Sequence, residues 1–269
     1  MPYVIGFLIA LFIALTGVGA GTITVPVLIL FLGVPPAEAV GIGLVFATAV
    51  KLILVPAQIV NKNVAWKTLG YMLLGGLPGV ILGSIVLKSL VTAGSQNLLN
   101  AILGAILVGT SAWQLIYSLR PLRQNPQPPD RSSWLAWLMF PVGAEVGFSS
   151  AGAGALGSAA LLSLTVLEPA RVVGTDIAFG FLISLVGSGL HLGSIGASGG
   201  LIFQLVAGGV LGAIGGTLLS TRVPRRPLRI ALWIWLLILG GNFLFTSYHA
   251  HTVSAHPLTV QIVFGPAGR

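Results

Sequence analysis

The sequence predicts an all-α polytopic membrane protein built on an internal repeat of inverted topology, each half a re-entrant, broken helical hairpin followed by three transmembrane helices. Composition predicts the membrane: of 269 residues, 55% are hydrophobic and 7% charged, where soluble domains carry about 25% charged residues. Spacing predicts helices, because the apolar stretches run near the ~20 residues that a spanning helix needs. Self-similarity predicts two halves. At a shift of 133, Gly19, Ala20 and Gly21 meet Gly152, Ala153 and Gly154, Pro36 and Ala37 meet Pro169 and Ala170, and Gly75, Gly76 and Gly79 meet Gly208, Gly209 and Gly212. The register holds without a gap for 15 identities over the 65 positions from 19 to 83, well beyond the roughly one in ten expected for so Gly- and Leu-rich a chain.

The elements follow in order. Residues 3–35 are too long for one straight span, since a helix of that length would reach about 50 Å across a ~30 Å hydrocarbon layer. A break at "GVGAG", Gly17 to Gly21, folds the stretch into a hairpin whose tip lies inside the membrane. The apolar start has no basic residues ahead of it and is read as part of the mature protein. Transmembrane helices are expected over 36–60, 68–90 and 96–119, closing a first repeat at 1–119. A basic, Pro-rich linker follows at 120–131, "RPLRQNPQPPDR". The second repeat, 132–247, holds a hairpin at 132–168 and helices at 170–195, 199–220 and 228–247, and residues 248–269 form a tail.

Charge sets the orientation. Lys62 and Lys67, the linker arginines Arg120, Arg123 and Arg131, and "RVPRRPLR" from Arg222 to Arg229 form three basic loops, which mark the cytoplasmic side. The 222–229 loop corresponds to uncharged residues 89–96 in the first half. Equivalent loops therefore lie on opposite faces, which requires 132–168 to enter and leave on one face. Both termini and the tail come out non-cytoplasmic.

Irregular backbone at membrane depth survives only where it is buried in protein or lines a cavity. Paired broken helices aim unpaired N–H groups at a midmembrane anion. Candidate binding residues are the tip glycines Gly19, Gly21, Gly152 and Gly154 with the hydroxyls of Thr22, Thr24, Ser149, Ser150 and Ser158. Ionisable side chains inside spans are costly and so are site candidates. Lys51 lies deep in 36–60 and is assigned to neutralise the bound anion, or to an ion pair, and Thr48 shares its face. Glu145 and Asp176 are read as coupling residues that take up a proton or pair with Lys51, or as structural carboxylates.

The order and spacing of "GVGAGTITVPVL", "GVPPAEAVGIGL" and "NVAW" (Asn63–Trp66), repeated in part as "SSAGAGALGSAALL" and "LEPARVVGTDI", resemble the TauE/SafE family of sulfite and organosulfonate exporters. The family's Gly-Thr-Asp start and its helix lysine are split here between Gly174, Thr175, Asp176 and Lys51. The resemblance implies a bacterial inner-membrane permease, a secondary transporter exporting small sulfur-containing anions such as sulfite or sulfoacetate. A passive anion channel on the same hairpins is the alternative. An intramembrane hydrolase using "GFSSAGAG" with His191 is a weaker one, because the Gly-x-Ser-x-Gly spacing is absent. The chain is expected not to be an enzyme.

The expected partners are a small anion and the lipid bilayer, with a homodimer held open and no nucleic acid, because the basic residues sit where topology explains them. No cofactor and no metal are expected. Zero cysteines exclude disulfides, and His249, His251 and His256 have no acidic or thiol ligand nearby. Gln58 and His191 fall near the interfaces, and the tryptophans belong to aromatic belts.

Overall fold

The computed structural model describes residues 1–16, 19–94, 96–119, 131–151, 154–195, 198–219 and 225–254. Ten α-helices are found among them: α1 Pro2–Thr16, α2 Ala20–Leu32, α3 Pro36–Val60, α4 Trp66–Thr92, α5 Gln96–Leu119, α6 Leu135–Ser149, α7 Ala155–Leu164, α8 Pro169–His191, α9 Gly199–Leu219 and α10 Arg225–Ser254. Six of the ten, α3, α4, α5, α8, α9 and α10, contain stretches long and apolar enough to cross a membrane. The other four have 10 to 15 residues, at most about 22 Å of helix, which falls short of the hydrocarbon thickness.

Local sequence explains where helices start and stop. Proline opens α3 and α8, at Pro36 and Pro169, where its missing N–H costs nothing and its fixed φ suits the first turn. Gly33 closes α2 in a left-handed cap with φ +64°, a conformation that only glycine adopts freely. The last helix continues past the expected boundary at 247 to Ser254, so residues 248–254 are helix and not tail. It also begins at Arg225, three residues before the expected start at 228.

The helices pack in a pattern that crosses between the two sequence halves. α4 lies on α6, α1 on α9, α3 on α8 and α5 on α10. Small residues make this close approach feasible, as expected where lipid tails remove any hydrophobic drive between helices. A Cβ on Gly75, Gly79 or Gly83 of α4 would land on the carbonyl oxygens of Ala136, Phe140 and Ala144 in α6. On α9, Gly208 and Gly212 meet the carbonyls of Tyr3 and Phe7 in the same way. The Phe179 ring covers Gly76, and the Phe46 ring covers Gly209. Both phenylalanines are fully buried, as are Leu28, Leu161, Ile42, Leu44 and Ile183. Large apolar side chains such as Trp137, Phe203, Leu74 and Leu218 face outward, a surface suited to acyl chains rather than water.

Candidate functional site

The site is built where two helix breaks meet. α1 ends at Thr16 and α2 begins at Ala20 behind Gly19; α6 ends at Ser149 and α7 begins at Ala155 behind Gly154. These two N-terminal caps lie together, because a Cβ on Gly19 would stand 3.2 Å from the Gly154 backbone nitrogen. Gly21 is packed against Ser150 so closely that a Cβ there would strike the Ser150 carbonyl, and Gly43 of α3 faces the Ser150 hydroxyl. Gly152 lies outside the described residues.

Ser150 carries the strain of this arrangement. It holds φ +61°, a left-handed conformation costing a non-glycine residue about 1 kcal/mol or more. Its N–H is bonded to Val146 O at 2.8 Å, while its buried hydroxyl has no hydrogen-bond partner among the described residues. The other hydroxyls are largely committed: Thr24 donates to Ala20 O at 2.7 Å, Thr48 to Leu44 O at 2.8 Å and Ser149 to Glu145 O at 2.9 Å. Thr22 is buried beside Gly19. Next to the tips a cavity of about 20 Å³ is lined by Gly21, Thr22, Ser149 and Ala151, room for about one water.

Lys51 and Asp176 come together from α3 and α8. Lys51 is buried, its ammonium lying against Gly180, where a Cβ would occupy the same space. Its charge and that of Asp176 act on each other. The Asp176 Oδ2 accepts a 2.7 Å hydrogen bond from Ser158 of α7, while Oδ1 is buried without a partner beside Gly157. The two residues before Asp176 fix α8 against the connection between α3 and α4. Thr175 Oγ1 accepts the Ala65 N–H at 2.9 Å, and Gly174 leaves room for Asn63. The Asn-Val-x-Trp loop and the Gly-Thr-Asp run are thus one contact, and this contact sets where the carboxylate stands.

Glu145 stands apart from this pair. Its Oε1 is buried without a hydrogen-bond partner, and no interaction among the described residues joins it to Lys51. Arg229 was missed as a site residue because it ends a run of loop arginines; its charge reaches Asp176, and its Nε is buried without a partner. A basic residue within four positions of an apolar, Trp-containing helix is the signal that would have found it. Among the described residues no three His, Asp or Glu side chains converge as a metal site.

Comparison with known proteins places the chain among membrane transporters. Residues 3–243 match the family model described as "Sulfite exporter TauE/SafE". The chain is similar to the "Probable membrane transporter protein YjnA" of Bacillus subtilis (strain 168), 31% identical over 247 residues, 87% of this chain and 95% of the relative. No solved structure matches.

Proposed function

The chain belongs to the TauE/SafE sulfite exporter family of multi-pass membrane transporters, and from that premise we propose that it is a secondary carrier, an exporter of small sulfur-containing anions such as sulfite or sulfoacetate. The anion binds where the two broken helices meet, between Gly19 and Gly21 on one side and Gly154 on the other. The observation that carries the reading is the abutting of the α2 and α7 caps. Helix N-termini leave their first N–H groups without carbonyl partners, and two of them directed at one point favour a negative ligand. Thr22 and Ser150 contribute hydroxyls. Lys51 supplies the compensating charge, and in the empty protein Asp176 holds that charge in its place. Binding of an anion at the tips competes with Asp176 for Lys51, which frees the carboxylate to take up a proton. Glu145 is a second proton-accepting candidate on the same hairpin as Ser150.

The halves are related by an inverted repeat. Each has one hairpin and three spans, an odd number, so equivalent loops emerge on opposite faces, and both termini lie outside the inner membrane. The pairwise packing supports this, since Gly75 and Gly79 of α4 meet the Ala136 and Phe140 carbonyls of α6 as Gly208 and Gly212 of α9 meet those of Tyr3 and Phe7 in α1. The water-sized cavity favours a carrier over the passive channel: a sulfonate does not fit until the tips part, and an open pore needs no such step.

Uptake into proteoliposomes tests the proposal, with sulfite, sulfoacetate, sulfate and a carboxylate offered to wild type and to Lys51→Ala. Saturable flux of a sulfur anion that falls at least tenfold in the variant is expected. Flux that rises linearly without saturation would establish the channel, and the absence of sulfur-anion flux would sink the substrate class.

A further inference from the structure

One cation, Lys88, lies away from the tips. It stands near the end of α4, across the molecule from Lys62 and Lys67, which flank the connection between α3 and α4. The cytoplasmic preference of basic residues gives no reason for a lysine on that side. Lys88 lines a cavity of about 310 Å³ together with Ala37, Thr92, His191 and Gly193. Three independent features there suit a small oxyanion.

The first is the Lys88 ammonium itself. The second is the start of α3, whose opening residues are Pro36 and Ala37; early helix N–H groups have no intrahelical carbonyl, and Ala37 borders the cavity. Glu38, the acid of that first turn, is engaged by the Ser198 hydroxyl. The third is His191, 1% exposed. Its Nε2 hydrogen-bonds to Gly147 O at 3.0 Å, and since a carbonyl only accepts, Nε2 must be the donor. Its Nδ1 is buried with no partner among the described residues, and the Lys88 charge acts on the ring.

We propose that this cavity is a second binding site for a small oxyanion, held by Lys88, the α3 amides and His191 Nδ1. A neutral ring presents Nδ1 as an acceptor for the O–H of a hydrogen-bearing oxyanion. An imidazolium instead donates Nδ1–H to a fully deprotonated one. The proton count is the same either way, with one proton shared between ring and ligand. The ligand also touches the ring whose other nitrogen holds Gly147. Ser84 bonds the same carbonyl at 3.4 Å, and Gly147 is three residues before Ser150, so occupancy bears on the second tip. The sulfonate class of the ligand rests on the carrier reading; the existence of the site does not.

The chain has no cysteine, so Thr92→Cys creates a single thiol at the cavity. The full chain is placed in phosphatidylcholine nanodiscs, and maleimide labelling is timed with sulfoacetate, inorganic phosphate or chloride. Either oxyanion is expected to slow labelling about tenfold at ten times its Kd, with chloride ineffective. Lys88→Gln should abolish protection and Lys88→Arg should keep it. His191→Gln, whose amide retains the bond to Gly147 but leaves nothing at Nδ1, should weaken it. No protection by either oxyanion, or equal protection in Lys88→Gln, would overturn the proposal. So would slowing that follows added phosphatidylglycerol instead of free oxyanion, which would assign the cavity to a lipid headgroup. Lys51→Ala in the same background separates the two sites: protection should persist there, and its loss would overturn a distinct second site. Lack of sulfur-anion flux in every protein would count against the carrier reading alone.

Discussion

The two halves of the molecule share a scaffold and differ in their chemistry. Phe46 covers Gly209 as Phe179 covers Gly76, and the carbonyls of Tyr3 and Phe7 meet α9 as those of Ala136 and Phe140 meet α4. The polar residues have no such counterparts. At the 133 shift Lys51 corresponds to Ser184, Asp176 to Gly43, Ser158 to Val25, Glu145 to Phe12 and Ser150 to Gly17. Close packing between helices in lipid tolerates few residue types, so it preserves both copies of a contact. A buried charge needs one partner of opposite sign, and two copies of it would need two, so chemistry is free to settle in one half. Lys51 comes from the first half, whereas Arg229, both carboxylates and the left-handed serine come from the second.

The largest effect should come from breaking the joint between the halves. Gly21→Val places a side chain on the Ser150 carbonyl and is expected to reduce flux by on the order of 100-fold, whereas Gly109→Ala, with nothing within 4 Å, should transport normally. Comparable flux in the two variants would disprove a functional junction at Gly21.

Removing the asymmetric charges comes next. Lys51→Ala removes one of the two cations that act on Asp176 and leaves Arg229; loss of one member of a buried pair costs about 3–5 kcal/mol, and Arg229 should hold the loss toward the lower end. Asp176→Asn in the same chain should restore part of the lost thermal stability while flux stays low. Additive losses in a double-mutant cycle would show that the two residues do not interact.

Matched packing variants ask how equal the scaffold is. Gly75→Val and Gly208→Val should each destabilise by about 1–3 kcal/mol, and by similar amounts, as read from thermal unfolding in detergent. A large effect in one and none in the other would end the comparison at the level of packing.

The smallest effects belong to hydroxyls bonded within their own helices. Thr24→Val and Thr48→Val should cost about 0.5–1.5 kcal/mol at most and change sulfur-anion KM less than threefold. A tenfold rise in KM for either would place that hydroxyl on the ligand.

The helical membrane class was legible because apolar length and low charge are properties of the chain itself. Glycines spaced four apart announced close helix contacts, but not which helix lay opposite, since α4 finds α6 only in three dimensions. Lys51 and Asp176 stood out in sequence because ionisable groups are rare in such segments, and the fold brings them to one place from helices 125 positions apart. Arg229 was hidden by its neighbours, since a run of arginines reads as a loop whether or not α10 starts inside it. The polar mixture after residue 247 suggested a tail; backbone hydrogen bonding continued the helix to Ser254 regardless of hydropathy. Hydroxyl bonding to a carbonyl four residues back leaves no trace in composition, so Thr24 and Thr48 looked as available as Ser150.

The exchanged packing also has a consequence in time. α1 is made before its partner α9, which begins only at residue 199. Until then the face of α1 that meets the α9 glycines is bare. A ribosome that stalls after α5 leaves α1, α3, α4 and α5 without their partners α9, α8, α6 and α10. Packing of the first half therefore waits on the second, and co-expressing the halves as separate chains should let each supply the surface that the other lacks.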